Sequence, residues 1–370
     1  MSTMLAARLH KVGSPMQLDE VPVPEPGPGD VLVQVKACGI VPNLRNVLKF
    51  FQEWFPKSNP LPRLPAIFGL DAAGVITKIG PRVQNCAQGD RVYVNPARGC
   101  GACKPCRSGL YTHCQNGIFQ GYFGFGPEAQ KLFDAYPYGG LAQYQTAPQS
   151  ALVKLPDNVT FEQAARFGYI GTPYGGYRRA GLGPGDSLLI DGISGTLGLG
   201  AALVALAMGV PKILGVARDA KRLAKVKALA PNRIEVLPLG TRNVAEWACE
   251  LTDGCGVDMM ISCLAPGTPA QTMTDSIYTL RRGGVAINVN GMGPDPVPMD
   301  VHWMMDRQVA LIGSCWFNTR EGQDLAEMAR VGTLNLSVFQ HKCFPLSKVN
   351  DLLENIQDRD GGFTNFVVTP

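Results

Sequence analysis

The stretch Leu188-Leu189-Ile190-Asp191-Gly192-Ile193-Ser194-Gly195-Thr196-Leu197-Gly198 passes from a short apolar strand through a glycine-rich turn into an apolar segment that continues to Met208. Glycines so placed let backbone amides close on a pyrophosphate at the positive end of the following helix. GxxGxxG alone is a weak signal, since a turn needed only for close helix packing has the same letters. Here a strand precedes it and alternating elements follow, so we read a dinucleotide site cradled by Gly192, Gly195, Thr196, Leu197 and Gly198. As a membrane span, Leu188 to Val210 fails, because Asp191, Ser194 and the glycines would expose charge and backbone to lipid.

Working outward, strands and helices alternate after Pro156: Leu188 to Asp191, Thr196 to Met208, Ile213 to Ala217, Asp219 to Ala230, Val244 to Leu251, Val257 to Cys263 and Val285 to Val289. This alternation predicts right-handed crossovers and a doubly wound parallel sheet with both faces covered. Asp219 is placed to cap the helix whose Leu223, Val226 and Leu229 face the sheet. Before Pro156 the texture differs. Val31, Val33, Val35 and Ala37 alternate against Gln34 and Lys36, and short runs at Gly74 to Ile79 and Asp90 to Val94 are punctuated by glycine and proline, so this part reads as a mostly β unit. Amphipathic stretches at Gly322 to Val331 and Val349 to Ile356 and a strand at Phe366 to Val368 close the chain.

At 370 residues the chain fits two domains, and 45% hydrophobic residues argue against disorder. Lysine and arginine (34) barely exceed aspartate and glutamate (30) with no basic run, which excludes an electrostatic footprint for nucleic acid and leaves small-molecule partners. The first nine residues lack a signal-peptide core, and eleven cysteines, an odd number, are spread beyond one cluster, so reduced thiols and a cytoplasmic setting are expected.

That cluster, Cys100-x-x-Cys103-x-x-Cys106-x7-Cys114, has the donors for one tetrahedral zinc with no water position left. A closed all-thiolate site is structural, because zinc catalysis needs an open position. Disulfides are the bland alternative, but four cysteines with two-residue gaps suit a metal better. His113 beside Cys114 reads as surface. For the cofactor, an acidic residue past the second strand would bind a ribose diol. The chain has Ala217-Arg218-Asp219, with Lys221 and Arg222 next, so Arg218 predicts a preference for the 2′-phosphate of NADP(H), with NAD(H) as the alternative.

The cysteine loop ahead of a dinucleotide-binding half, together with Pro65-Ala-Ile-Phe-Gly69-Leu70-Asp71-Ala-Ala-Gly74 and Gly89-Asp90-Arg91-Val92, resembles the zinc alcohol dehydrogenases of the medium-chain dehydrogenase/reductase superfamily over nearly the whole chain. The resemblance implies a GroES-like catalytic domain from residues 1–170 and 316–370 with a zinc loop at 98–115, a Rossmann domain at 171–315, an active site in the cleft, and a homodimer or homotetramer. It also implies Asn290, Gly291 and Met292 beneath the nicotinamide and Ser314 and Trp316 beside its carboxamide.

The departures carry the functional expectation. Where the family has Cys-Gly-Ile-Cys, this chain reads Cys38-Gly39-Ile40-Val41; where it has Gly-His-Glu, Gly69-Leu70-Asp71; and the third ligand position falls near Tyr169. One structural zinc and no catalytic zinc are expected, with Cys38 a small buried hydrophobe. Tyr169 then becomes the proton donor, Asn43 orients the substrate, and Asp71 is the last of the three catalytic candidates. Phe50, Phe51, Trp54 and Phe55 lie where the family places the substrate loop, and with the aromatic-rich Gly117 to Tyr138 insertion they read as core or an oligomer interface, with the wall of an apolar or aromatic pocket as the alternative; a bulky apolar or aromatic ketone, aldehyde or enone is the expected substrate. Two further readings stand beside this one: reduction of conjugated C=C bonds or quinones, and a cofactor-binding protein without catalysis.

Overall fold

The computed structural model describes residues 2–54, 59–291, 296–357 and 359–370. Six strands, Ser187–Asp191 (β1), Lys212–Ala217 (β2), Ile234–Pro238 (β3), Val257–Ser262 (β4), Leu280–Asn288 (β5) and Ala310–Gly313 (β6), form one sheet in the order β3-β2-β1-β4-β5-β6, with every neighbouring pair parallel. Strand direction alternates side chains between faces. Leu188 and Ile190 of β1 join Leu199, Leu203 and Val204 of the next helix, while Leu189 joins Trp247, Met273 and Ile277 on the other face. Both faces are therefore covered, which is why the strands read as unbroken apolar runs. The order reverses between β1 and β4, opening a crevice at the strand ends where ligands bind in such sheets.

A seven-stranded sheet is built from both ends of the chain. Asp30–Gly39 pairs with Asp71–Ile79 and Tyr144–Pro148, and the C-terminal strand Thr364–Thr369 joins it through Val367 opposite Gly39 and Val368 opposite Cys38. A helix, Leu44–Trp54, stands where the resemblance places the substrate loop. Leu44, Val47, Leu48 and Phe51 are buried at helical spacing, so the apolar residues near Phe51 are mainly core. Phe55 and the Trp54 side chain lie outside the described residues.

Helix Phe167–Ala180 joins the two halves. A capping box at Thr160, whose Oγ1 accepts from Gln163 N–H while Gln163 returns the bond, starts the short helix before it. Its glycines have a packing purpose. A Cβ at Gly171 would lie 2.4 Å from the Phe317 ring and one at Gly175 2.6 Å from the Trp316 carbonyl, so the segment returning from the parallel sheet lies directly on this helix. No helix among the described residues is long and apolar enough to cross a membrane.

Candidate active site

The glycine turn adopts the cradle geometry. Gly192 has φ +75°, a region strained for any side chain, and a Cβ at Gly198 would lie 2.2 Å from the Gly192 carbonyl. Gly195 caps the N-terminus of helix Thr196–Ala207. Thr196 Oγ1 at that terminus and Asn290 Oδ1 at the end of β5 are buried without a hydrogen-bond partner, while the Asn290 amide is held by Ser262 at 2.8 Å. Orphaned polar atoms beside a helix N-terminus fit a ligand rich in phosphate and amide groups, so the residues present fit a nicotinamide dinucleotide.

Asp219 caps its helix, its carboxylate accepting from Lys221 and Arg222 N–H at 2.9 and 3.0 Å, while Arg218 beside it is exposed. Ser314 is buried with its N–H on the Asn288 carbonyl, Gly291 is exposed, and Met292 lies outside the described residues. Trp316, at φ +69°, instead turns toward the other half: its indole donates to Asn95 at 3.2 Å and its ring lies 5.1 Å from Phe119.

Across the crevice, Asn43 links two phenols. Its Nδ2 lies 3.4 Å from Tyr122 Oη, Asn46 fixes its Oδ1 at 3.1 Å, and its backbone N–H faces the Tyr169 phenol closely enough to favour the ionised form. Burial pushes both phenols above the usual tyrosine range, so each is a protonated donor at neutral pH. Tyr122 shows no spacing signal in the sequence; only the return of the insertion onto helix Leu44–Trp54 brings it here. Phe119, Phe123 and Phe125 pack around it with centroids 5.1 to 5.7 Å apart, and Phe51 lies 6.1 Å from Phe123, forming an aromatic wall.

Asp71 is 1% exposed and close enough to both phenols to oppose their ionisation. Tyr93 O–H donates to it at 2.7 Å and Gly168 N–H also serves it; a Cβ at Gly168 would lie 2.4 Å from its Oδ1. The residue abutting Asp71 is thus Gly168, one before Tyr169. Burial raises this carboxyl to about 7, with the Tyr93 and Gly168 bonds and the Arg166 charge partly opposing. Cys38 is wholly buried, and burial next to Asp71 pushes its thiol far up. Val41 and Leu70 are buried apolar side chains without a metal-binding atom.

The four Sγ atoms of Cys100, Cys103, Cys106 and Cys114 lie within 4.8 Å of one another, and among the described residues this is the group of Cys, His, Asp and Glu gathered closely enough to hold a metal ion. Zinc with bonds of about 2.3 Å needs sulfurs roughly 3.8 Å apart, so the set fits. Backbone N–H groups of Ala102 and Cys103 aim at Cys100 Sγ and bring its thiol down to about 6. His113 is exposed. Arg98, buried, ties this loop to the sheet through the Asn95 carbonyl and Gln120 at 2.5 Å each.

Comparison with known proteins agrees with this geometry. Residues 27–157 match the alcohol dehydrogenase GroES-like domain and residues 196–331 the zinc-binding dehydrogenase domain. An alcohol dehydrogenase of Geobacillus stearothermophilus is 30% identical across 95% of this chain and 96% of its own, and an L-idonate 5-dehydrogenase of Vitis vinifera is 30% identical across 79% and 74%. A solved zinc-binding dehydrogenase candidate from Sinorhizobium meliloti 1021, bound to NADP, shares the fold with a TM-score of 0.83 at 24% identity over the full length of both chains. The chain belongs to the zinc-type alcohol dehydrogenases of the medium-chain dehydrogenase/reductase superfamily and is an NAD(P)-dependent oxidoreductase.

Proposed function

We propose that this oxidoreductase interconverts an alcohol and a bulky apolar or aromatic ketone or aldehyde, with protein hydrogen-bond donors in place of a catalytic zinc. The observation that carries the reading is the Asn43 bridge between the Tyr122 and Tyr169 hydroxyls, in a crevice where Val41 and Leu70 offer no lone pair. Negative charge growing on a carbonyl oxygen has to be met by preorganised donors or a Lewis acid. When bound, the reduced nicotinamide supplies the hydride. Tyr169 donates the proton, Asn43 fixes the direction of that donation, and the aromatic wall of Phe119, Phe123 and Phe125 excludes water and selects flat or bulky groups. Asp71 holds Tyr93 and the start of helix Phe167–Ala180, a positioning task rather than a reacting one.

NADP(H) is the preferred cofactor in this reading. The carboxylate just past β2 is engaged by its own helix, and Arg218 presents an exposed positive charge beside it. The cysteine quartet holds one structural zinc. Replacing Tyr169 by Phe lowers kcat at least about tenfold on a panel of aromatic ketones; unchanged turnover removes Tyr169 from the mechanism. Faster turnover of enones or quinones than of any ketone would favour C=C or quinone reduction. Cofactor preference is read from KM for NADPH and NADH, with Arg218→Ala raising only the former.

A further inference from the structure

Arg166 immediately precedes the helix that carries Tyr169 and is 3% exposed. It makes no ion pair among the described residues. Its Nη2 donates to the carbonyls of Thr196 at 3.2 Å and Gly362 at 2.9 Å, and its Nε is buried without a partner. Its guanidinium carbon lies 5.3 Å from the centroid of Tyr169 and 5.0 Å from that of Phe339. Burying a cation is costly, and two neutral carbonyls and two ring faces offset only part of that cost. A staple between these segments would be built more cheaply from a neutral side chain, so the charge itself points to a purpose.

We propose that Arg166 is a positioning residue that grips Tyr169 by its ring face and stabilises the phenolate left after proton donation, coupling the donor to the first turn of the cofactor helix through the Thr196 carbonyl. This rests on the reading of Tyr169 as the donor. In carbonyl reduction the Tyr169 O–H bond breaks, its proton goes to the substrate oxygen as the hydride reaches carbon, and the bond's electron pair remains on Oη. Besides Arg166, the groups facing this phenol are the Asn43 backbone N–H, Arg359, Asp71 and Tyr122. Burial keeps the phenol protonated, Arg166 and Arg359 favour its ionised form, and Asp71 opposes it. The arrangement gives a donor that is loaded at rest and whose product anion has a fixed counter-charge. The Thr196 contact places that counter-charge at the cradle, so seating of the cofactor and placement of the proton donor share one side chain.

The test replaces Tyr169 with 3,5-difluorotyrosine, whose more acidic phenol titrates within the stable pH range and is followed directly by ultraviolet absorbance. An opposite charge at this range moves a phenol by about one pH unit or more. In that background Arg166→Met should raise the midpoint by about one pH unit, Arg166→Lys should leave it lower than Arg166→Met does, and Arg359→Met should raise it by a smaller amount. With natural Tyr169, Arg166→Met should lower kcat at least about tenfold, and Arg166→Lys should restore part of it. If Arg166→Met does not fold, Arg166→Lys still decides, because lysine keeps a cation at this position but cannot span the Tyr169 ring and the Thr196 carbonyl as the guanidinium does, so its midpoint should lie above that of the chain with Arg166. Midpoints unchanged in the variants that fold overturn the proposal. If Tyr169→Phe keeps full turnover, the donor reading falls first; if Tyr169→Phe is inactive and the titrations do not move, only the role of Arg166 falls.

Discussion

Replacing Asp71 by Asn should flatten part of the pH dependence of stability. Asp71 is 1% exposed, and burial holds its carboxyl near 7 against an ordinary 3.8. A carboxyl raised in the fold binds its proton more tightly there than in the unfolded chain. Its stabilising contribution is therefore complete below about pH 4 and is lost as pH rises toward 7, at about 1.4 kcal/mol per pH unit. Across that window the loss is about 4 kcal/mol, of which roughly 2.7 kcal/mol falls between pH 5 and 7. Asn keeps an oxygen for Tyr93 O–H and Gly168 N–H but cannot ionise. Thermal midpoints of both proteins at pH 5, 6, 7 and 8 isolate the effect, because every other titrating group contributes equally to both curves. At about 2 °C per kcal/mol for a chain this long, the variant should gain on the wild type by roughly 5 °C from pH 5 to pH 7. Parallel curves would refute the reasoning and mean that Asp71 is already ionised in the fold, paired with Arg166 more tightly than its hydrogen bonds suggest.

Elemental analysis should find about one zinc per chain, and Cys103→Ser should lose it and lower the thermal midpoint, since a structural zinc contributes its binding energy to folding. Two metal equivalents, the second needed for turnover, would sink the zinc-free mechanism. Phe123→Ala should raise KM for aromatic ketones several-fold while cofactor KM is unchanged, because Phe123 touches the aromatic wall and not the glycine turn. Among the described residues strand β6 pairs only with β5, and Leu311 on it and Val301 and Met305 beside it are 42%, 75% and 65% exposed. If this edge joins two copies, Leu311→Glu should shift the mass measured by light scattering toward the monomer; an unchanged mass places the contact elsewhere.

The glycine turn was legible because its chemistry is local: a strand, a positive φ and a close backbone approach are written in adjacent letters, and Gly192 and Gly198 occupy those roles. The gathering of the four cysteines was legible for the same reason, three of the four lying within seven residues. Asp219 as a helix cap followed from one residue and the two amides after it. The strand Ile234–Pro238 was missed because Pro231 and Arg233 just before it and Pro238 at its end break the apolar run on which strand recognition depends. The helix Leu44–Trp54 was not read as an element because the resemblance places a loop there, although the core reading of its aromatics agrees with the burial of Leu44, Val47, Leu48 and Phe51 at helical spacing.

What no stretch of sequence contained is the gathering of Asn43, Tyr122, Tyr169 and Arg166. Tyr122 lies 79 residues from Asn43 and meets it at one hydrogen bond; Arg166 reaches the Gly362 carbonyl 196 residues away. The letters show that positions 41 and 70 hold Val and Leu, whose side chains carry no metal-binding atom, since donor atoms belong to the residue. Which groups stand near them is decided by packing between distant segments. A hydrogen bond exists only once those segments have been brought within about 3.5 Å, and that distance is a property of the folded whole.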